Sequence, residues 1–149
     1  MNNTINPLTK VSERVFDLFV RQYIATHLWL NGDDDTEAFD EKYGYEDIDI
    51  DSLERVKGDC YLFLALASET IPVIRGKINR PNQPDFTDEE ADYTMIAHDF
   101  VLTRNGHGAG FWDGDYPDAE GNVLAGMADG FKQEHMYLGD DGRIYIEAA

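Results

Sequence analysis

Apolar side chains first fall into a repeat at Val15, Phe16, Phe19, Tyr23 and Leu28, and Leu18 and Trp29 widen that stripe. Returns of three and four residues predict an amphipathic helix opening near Ser12. It should stop in "NGDDD", 31–35, where Gly32 breaks the helix and the aspartates begin an exposed segment. Leu53, Val56, Cys60, Phe63, Leu64, Ala67 and Ile71 repeat the spacing. Asp51 and Glu54 read as a capping box opening that second helix, which should end before Pro72. Gly58 inside it costs about 1 kcal/mol against alanine, so a close-packed neighbour is expected there.

A third helix opens at Thr87, whose T-D-E-E places Glu90 for a reciprocal cap. Ala91, Met95, His98 and Leu102 form its expected inner stripe, with Ile96 and Phe100 on the flanks. Asn105-Gly106 is a natural left-handed stop. Val123, Leu124, Met127, Ala128 and Phe131 suggest a short helix over about 122–132. In "HMYLGDDGRIYIE", 135–147, two alternating runs flank Gly-Asp-Asp-Gly, the strongest hairpin signal in the chain. The expected fold class is α+β, with three to four helices packed on a small C-terminal antiparallel hairpin or sheet. A length of 149 residues fits one domain. Within it, 1–10 read as an irregular lead-in, 32–50 as an acidic loop and 74–86 as a basic, proline-bearing linker loop.

Charge changes the picture. Thirty Asp and Glu against twelve Lys and Arg give a formal net charge of −18. Such a chain repels nucleic-acid phosphates, so direct nucleic-acid binding is not expected. A partner with a basic, nucleic-acid-binding surface is favoured; the plainer alternative is that the acidity only aids solubility. Residues 32–54 concentrate eleven acids with one lysine. Phe39, Tyr43, Tyr45, Ile48 and Ile50 are threaded through them, which a purely solvating tail would lack. The expected partner-binding residues are Asp33, Asp34, Asp35, Glu37, Asp40, Glu41, Glu46, Asp47 and Asp49, with Tyr43 and Tyr45 as aromatic contacts. Their charges should face water, with Phe39, Ile48 and Ile50 inward and Arg75, Lys77 and Arg80 as partial neutralisers.

The single Cys60 forbids an internal disulfide and reads as a buried thiol of a reducing compartment. The run "CYLFLALA", 60–67, is too short to span a bilayer, and the N-terminus has no secretory pattern, so a cytoplasmic protein with no membrane role is expected.

The densest chemistry lies in "HDFVLTRNGHGAGFWDGDY", 98–116. An enzyme would draw on His98, Asp99, Arg104, His107, Asp113 and Asp115, with all but Arg104 as metal ligands. Adjacent His98 and Asp99 diverge by about 100° on a helix and cannot share an ion. Asp113, Asp115 and Asp118 imitate the start of a calcium loop, but its sixth and twelfth positions, Asp118 and Leu124, are wrong. The alternating glycines follow a helix instead of preceding one, so they face its negative end and make a poor phosphate cradle. No nucleophile elbow is present, and no cofactor is called for. The stretch reads better as a tight corner: Asn105-Gly106 stop the helix, Gly108 and Gly110 allow close passage, Phe111 and Trp112 re-enter the core, and Arg104 bridges Asp99 or Asp113.

"AHDFVLTRNGHGAGFWDGD", followed by "YLGDDGRIYIE", resembles a segment that recurs in small proteins of tailed bacteriophages. The resemblance covers about residues 87–147 and leaves the acidic segment outside it. It implies a cytoplasmic setting inside an infected bacterium and carries no catalytic assignment. Together these readings favour an acidic interaction protein that binds and inhibits or redirects a host nucleic-acid-handling protein, in counter-defence by DNA mimicry. The alternatives are a metal-dependent or nucleotide-handling enzyme and a phage assembly accessory.

Overall fold

The computed structural model describes residues 4–32, 37–107 and 110–149. Ser12 caps α1, Glu13–Leu30, by accepting from the Val15 amide. The far end is closed by Asn31 in an extended conformation, with its side-chain amide on the His27 carbonyl at 2.8 Å. Thus asparagine, one residue before the expected glycine, ends the helix. Two 3₁₀ turns follow, Phe39–Glu41 and Tyr45–Asp47.

The second helix, α2, covers Ile50–Leu66, and its cap is Asp49, which accepts from the Ser52 amide at 3.0 Å. Asp51 lies inside the first turn, so the expected Asp51–Glu54 box does not form. The anticipated inner stripe of α2 is buried throughout. Gly58, however, has open space where a side chain would stand, so no neighbour explains it. Pro72 sits in a separate four-residue turn of helix, α3, Ile71–Ile74, which tucks Ile71 and Ile74 into the core.

The Thr87–Glu90 capping box opens α4, Asp88–Arg104, as expected. Its inner stripe is different. Ile96, Ala97, Phe100 and Val101 are fully buried, whereas Met95 and His98 are half-buried. The helix is covered on most of its circumference, so the period in its sequence is weak and the wrong stripe looked innermost. Gly106, at φ +75°, closes it in the left-handed region. The last helix, α5, Asp118–Asp129, starts four residues earlier than its apolar pattern suggested because Pro117 and an acidic first turn begin it.

Strands β1, Glu134–Leu138, and β2, Ile144–Ala148, pair antiparallel with Met136 opposite Ile146, Tyr137 opposite Tyr145 and Leu138 opposite Ile144. A two-stranded hairpin is marginal alone. Here Met136, Ile144 and Ile146 sink into the core, and the Ile146 amide donates to Ser52 on α2. The architecture is therefore α+β: the described residues form five α-helices and one hairpin around a shared core. That core is aromatic at its centre: Phe63 stacks on Phe100 at 4.1 Å, and Phe19 and Phe111 complete the group. The most extensive helix contact is α1 against α4.

Candidate partner-binding surface

The acidic segment is an ordered frame. Phe39 and Ile48 are buried, as their spacing among the acids suggested. Ile50 is not: it is 64% exposed, because as the first residue of α2 it turns outward. The Phe39 amide donates to the Asn31 carbonyl, and Gly32 bridges Ala38. Tyr43 packs edge-on against Phe39, and Arg21 lies over the Tyr45 ring at 4.3 Å. Ile48 then bridges Ile144, the Asp49 amide donates to the Ile144 carbonyl at 2.8 Å, and Arg143 donates to the Glu46 carbonyl at 2.8 Å. The end of the acidic segment is thereby stitched along the outer edge of β2.

On this frame Glu37, Asp40, Glu41 and Glu46 are exposed. Asp47 and Asp49 depart from the expectation that every acid faces water. Both are half-buried and occupied: Asp47 accepts from the Gly44 amide at 2.8 Å, and Asp49 caps α2. Tyr43 and Tyr45 rest on the body as half-buried supports. Asp33, Asp34 and Asp35 lie outside the described residues. Among the described residues, the arginines of the basic loop pair with acids of α4 and not with the segment. Arg75 and Arg80 instead clamp the buried Asp92 of α4 at 2.9 and 2.7 Å, joined by the Gly76 amide. Burial would raise the Asp92 carboxyl, and the Arg80, Gly76 and Arg75 hydrogen bonds outweigh it and lower it. The loop is tied to the start of α4 because two guanidinium groups find a desolvated carboxylate there.

The outer face of the hairpin continues the acidic frame. His135, Tyr137 and Tyr145 stack in a row, at 5.5 Å and then 5.4 Å between ring centres, the two tyrosines nearly parallel at 9°. Tyr137 donates to Glu147 at 2.8 Å and Tyr145 to Asp141 at 2.5 Å. Those bonds raise both phenols, Tyr145 to about 12, and the nearby Asp49 adds to the effect. This row was legible as the polar half of the 135–147 alternation, but which rings meet depends on a register that no residue pattern states.

The 98–116 stretch is dispersed. His98 Nδ1 and the Thr26 hydroxyl share a hydrogen bond at 2.9 Å, and the imidazole lies against Trp29. Burial lowers its imidazole. Asp99 points elsewhere, into the protein, where Tyr116 donates to one oxygen at 2.6 Å and the other oxygen is buried with no hydrogen bond. Burial pushes this carboxyl up to about 7, against the Tyr116 hydrogen bond and helped by Asp113 and Asp115. His107 and Asp113 are exposed, and Asp115 is half-buried beside Asn79. Among the described residues no group of three or more His, Cys, Asp or Glu could hold a metal ion. Phe111 does re-enter the core, but Trp112 is 56% exposed, and Tyr116 takes the inner place expected for it. At Gly110, φ +100°, a Cβ would collide with the Thr103 hydroxyl, so glycine permits the close passage there. Gly108 lies outside the described residues.

Arg104 bridges neither Asp99 nor Asp113. It is buried and enters a charged cluster that the sequence did not reveal. Its Nη1 donates to Asp59 at 2.7 Å and its Nε to the Lys132 carbonyl at 2.7 Å. Arg55 joins Asp59 to Glu134, at 2.8 Å each. The Glu134 side chain is fully buried and also accepts from Tyr23 and from His27 Nε2. The Asn31 amide donates to both the carbonyl and Nδ1 of His27, which leaves Nε2 to carry the hydrogen toward Glu134. Burial alone would raise Glu134, but the His27 hydrogen bond, the Arg104 charge and the Tyr23 hydroxyl hold it down to about 2. Burial pushes the neighbouring Tyr23 phenol and Cys60 thiol well up, so neither is poised as a nucleophile. The only hint of this cluster in the chain is polar residues spaced among apolar ones on four separate elements.

No helix among the described residues is long and apolar enough to cross a membrane. No family model, curated protein or solved structure matches the chain.

Proposed function

We propose that this chain is a small acidic interaction protein that binds the basic, nucleic-acid-handling surface of a host protein and inhibits or redirects it. The observation that carries this reading is the contrast between placement and neutralisation. Glu37, Asp40, Glu41 and Glu46 stand exposed on a frame held by Phe39, Ile48 and the β2 edge. The arginines best placed in sequence to neutralise them are engaged with Asp92 instead; Lys42 reaches Glu37 at 3.3 Å on the exposed surface, and Arg21 lies near Glu46, so the four acids remain in excess. A net charge of −18 then remains as a long-range field that speeds encounter with a cationic surface. Carboxylates presented on an ordered frame also lose less entropy on binding than carboxylates on a disordered tail. Such a surface can occupy a groove built for phosphates, which is DNA mimicry. The resemblance of residues 87–147 to small phage proteins supplies the setting: the cytoplasm of an infected bacterium, in counter-defence or host takeover.

The test is capture followed by competition. Wild-type protein and a Glu37→Gln, Asp40→Asn, Glu41→Gln, Glu46→Gln variant are immobilised and offered nuclease-treated bacterial lysate. Each retained protein is then assayed for duplex-DNA binding with and without the acidic protein. The proposal expects a nucleic-acid-binding protein retained by the wild type, lost by the variant and displaced from DNA. Identical retention by both proteins, or retained proteins whose DNA binding is unaffected, overturns it.

A further inference from the structure

We propose that the outer face of the β1–β2 hairpin is a docking surface for arginine side chains of a basic protein segment, distinct from a general attraction for positive charge. This deepens the reading above and rests on it. Three observations carry it. First, Tyr137 and Tyr145 form a nearly parallel pair on the hairpin face opposite the buried Met136, Ile144 and Ile146, and the exposed His135 extends the row. Second, the ionised groups acting on those phenols are carboxylates: Glu147 at one end, Asp141 at the other and Asp49 alongside. Arg143, just before β2, places its Nη1 on the Glu46 carbonyl, and its charge also helps to lower Asp141. Third, the molecule already builds the complementary arrangement internally. Arg21 lies over the Tyr45 ring at 4.3 Å with its Nε on Asp17 at 2.9 Å. Arg104 lies over the Phe131 ring at 5.2 Å with Asp59 on its edge. Among the described residues those are the rings that carry a cation; Tyr137 and Tyr145 carry none.

A guanidinium fits this face better than an ammonium. Its plane lies flat on an aromatic ring while its edge hydrogens still reach a carboxylate, and it sheds water more easily. A lysine must choose between the ring and the acid. Glu147 keeps an oxygen beyond the phenol that it holds, and Asp141, whose two oxygens take the Tyr145 hydroxyl and the Arg143 amide, still has lone pairs to offer, because each carboxylate oxygen accepts more than one hydrogen bond. Two stacked rings with an acid at each end therefore accommodate successive arginines of an extended strand or one face of a helix. Through Asp49 this face is continuous with the exposed acids of the 37–46 segment, so one basic partner would cover both.

The experiment titrates the full chain with nona-arginine and nona-lysine peptides across a salt series. It uses wild type, Tyr137→Leu/Tyr145→Leu, Tyr137→Phe/Tyr145→Phe, and the four-residue amide variant of the acidic segment. Far-UV circular dichroism verifies each fold. The expected result is that wild type binds nona-arginine about fivefold more tightly than nona-lysine. The leucine variant should lose that preference while still binding nona-lysine, and the phenylalanine variant, which keeps its rings, should retain it. Should the leucine variant fail to fold, Glu147→Gln in the wild-type background must reduce the preference by itself. Equal affinity of wild type for both peptides, with both weakened in the amide variant, overturns the arginine face and leaves the acidic-surface reading standing. A preference that survives in the leucine variant also overturns it. Failure of both peptides to bind at low salt overturns both.

Discussion

Glu134 and Glu46 are the same residue type in opposite circumstances. Glu134 is sealed in the core with His27, Tyr23, Arg55 and Arg104 around it, and its carboxyl is held near 2. Glu46 is exposed on a 3₁₀ turn, where the guanidinium that approaches is spent on its backbone carbonyl. The interior cluster uses charge to join α1, α2, α4 and β1. The outer segment is held by Phe39, Ile48, backbone bonds and the Asp47 and Asp49 caps, so the exposed charges of Glu37, Asp40, Glu41 and Glu46 are not needed for the fold. Charge that the structure has paired is architecture, and charge that it leaves exposed is free for a partner.

The largest effect should come from breaking the interior. Glu134→Gln leaves Arg55 and Arg104 to share Asp59 alone beside a neutral amide, and removing one member of a buried ion cluster costs about 3–5 kcal/mol. In a chain of this size that lowers the melting point by roughly 10 °C. Chemical denaturation reads it directly, and a loss under about 1 kcal/mol would mean that the cluster is structurally idle. The same variant should change the acid limb. The folded Glu134 carboxyl lies at about 2, below its ordinary 4.5. Its contribution is therefore present above pH 4.5 and is lost as the pH falls toward 2. That limb should flatten in Glu134→Gln.

Gly110→Val should follow, at about 2–3 kcal/mol, because a side chain is strained at φ +100° and meets Thr103. The same loop carries Trp112, whose replacement by alanine should cost under about 0.5 kcal/mol since the indole is largely in water. Comparable losses for the two in a urea melt would contradict the inward Phe111, outward Trp112 arrangement.

Asp99 separates burial from pairing. It is as buried as Glu134, but only Tyr116 bonds it, and its carboxyl is raised from 3.8 to about 7. The sign is opposite. Its protonated form suits the fold, so stability is retained below 3.8 and falls as the pH rises toward 7, by up to about 1.4 kcal/mol per unit. Asp99→Asn should remove that decline and melt above wild type at pH 8. A variant that melts below wild type at pH 8 would mean that the carboxylate has a cationic partner in the fold.

The smallest stability change, and the one of reversed sign, belongs to the Glu37, Asp40, Glu41 and Glu46 amide variant. Relieving mutual repulsion should leave the melting temperature unchanged or raise it by a degree or two at low salt, an effect that vanishes as salt increases. A clear drop would show that these acids support the fold and would erase the contrast with Glu134. Asp47 and Asp49 are left out of that variant because they cap Gly44 and α2.

Local rules were enough for much of this molecule. Ser12, the Thr87–Glu90 box, Gly106 and the Gly-Asp-Asp-Gly turn mark element ends because capping and left-handed backbone depend on a few neighbouring atoms. The apolar stripes of α1 and α2 point to the core for the same reason, although Trp29, expected to widen the first, is 54% exposed. The divergence of His98 and Asp99 follows from helical geometry alone, and Phe39 and Ile48 anchor the acidic segment as their spacing suggested. The remainder depends on what lies across the fold. Arg104 reaches Asp59 and Glu134 because α2 and β1 converge on the end of α4, and no spacing records that. Which face of α4 is innermost follows from neighbours on nearly every side. Trp112 and Tyr116 are both large aromatics in one glycine-bearing loop, and only its path over Thr103 makes one exposed and the other buried. Tyr137 meets Tyr145 through strand register, and the acids of 37–49 gain a fixed position only because Ile48 pairs with Ile144. Caps and periods are short-range physics and can be read along the chain; ion pairs, ring stacks and burial in the round are set by distances that the chain closes only when it folds.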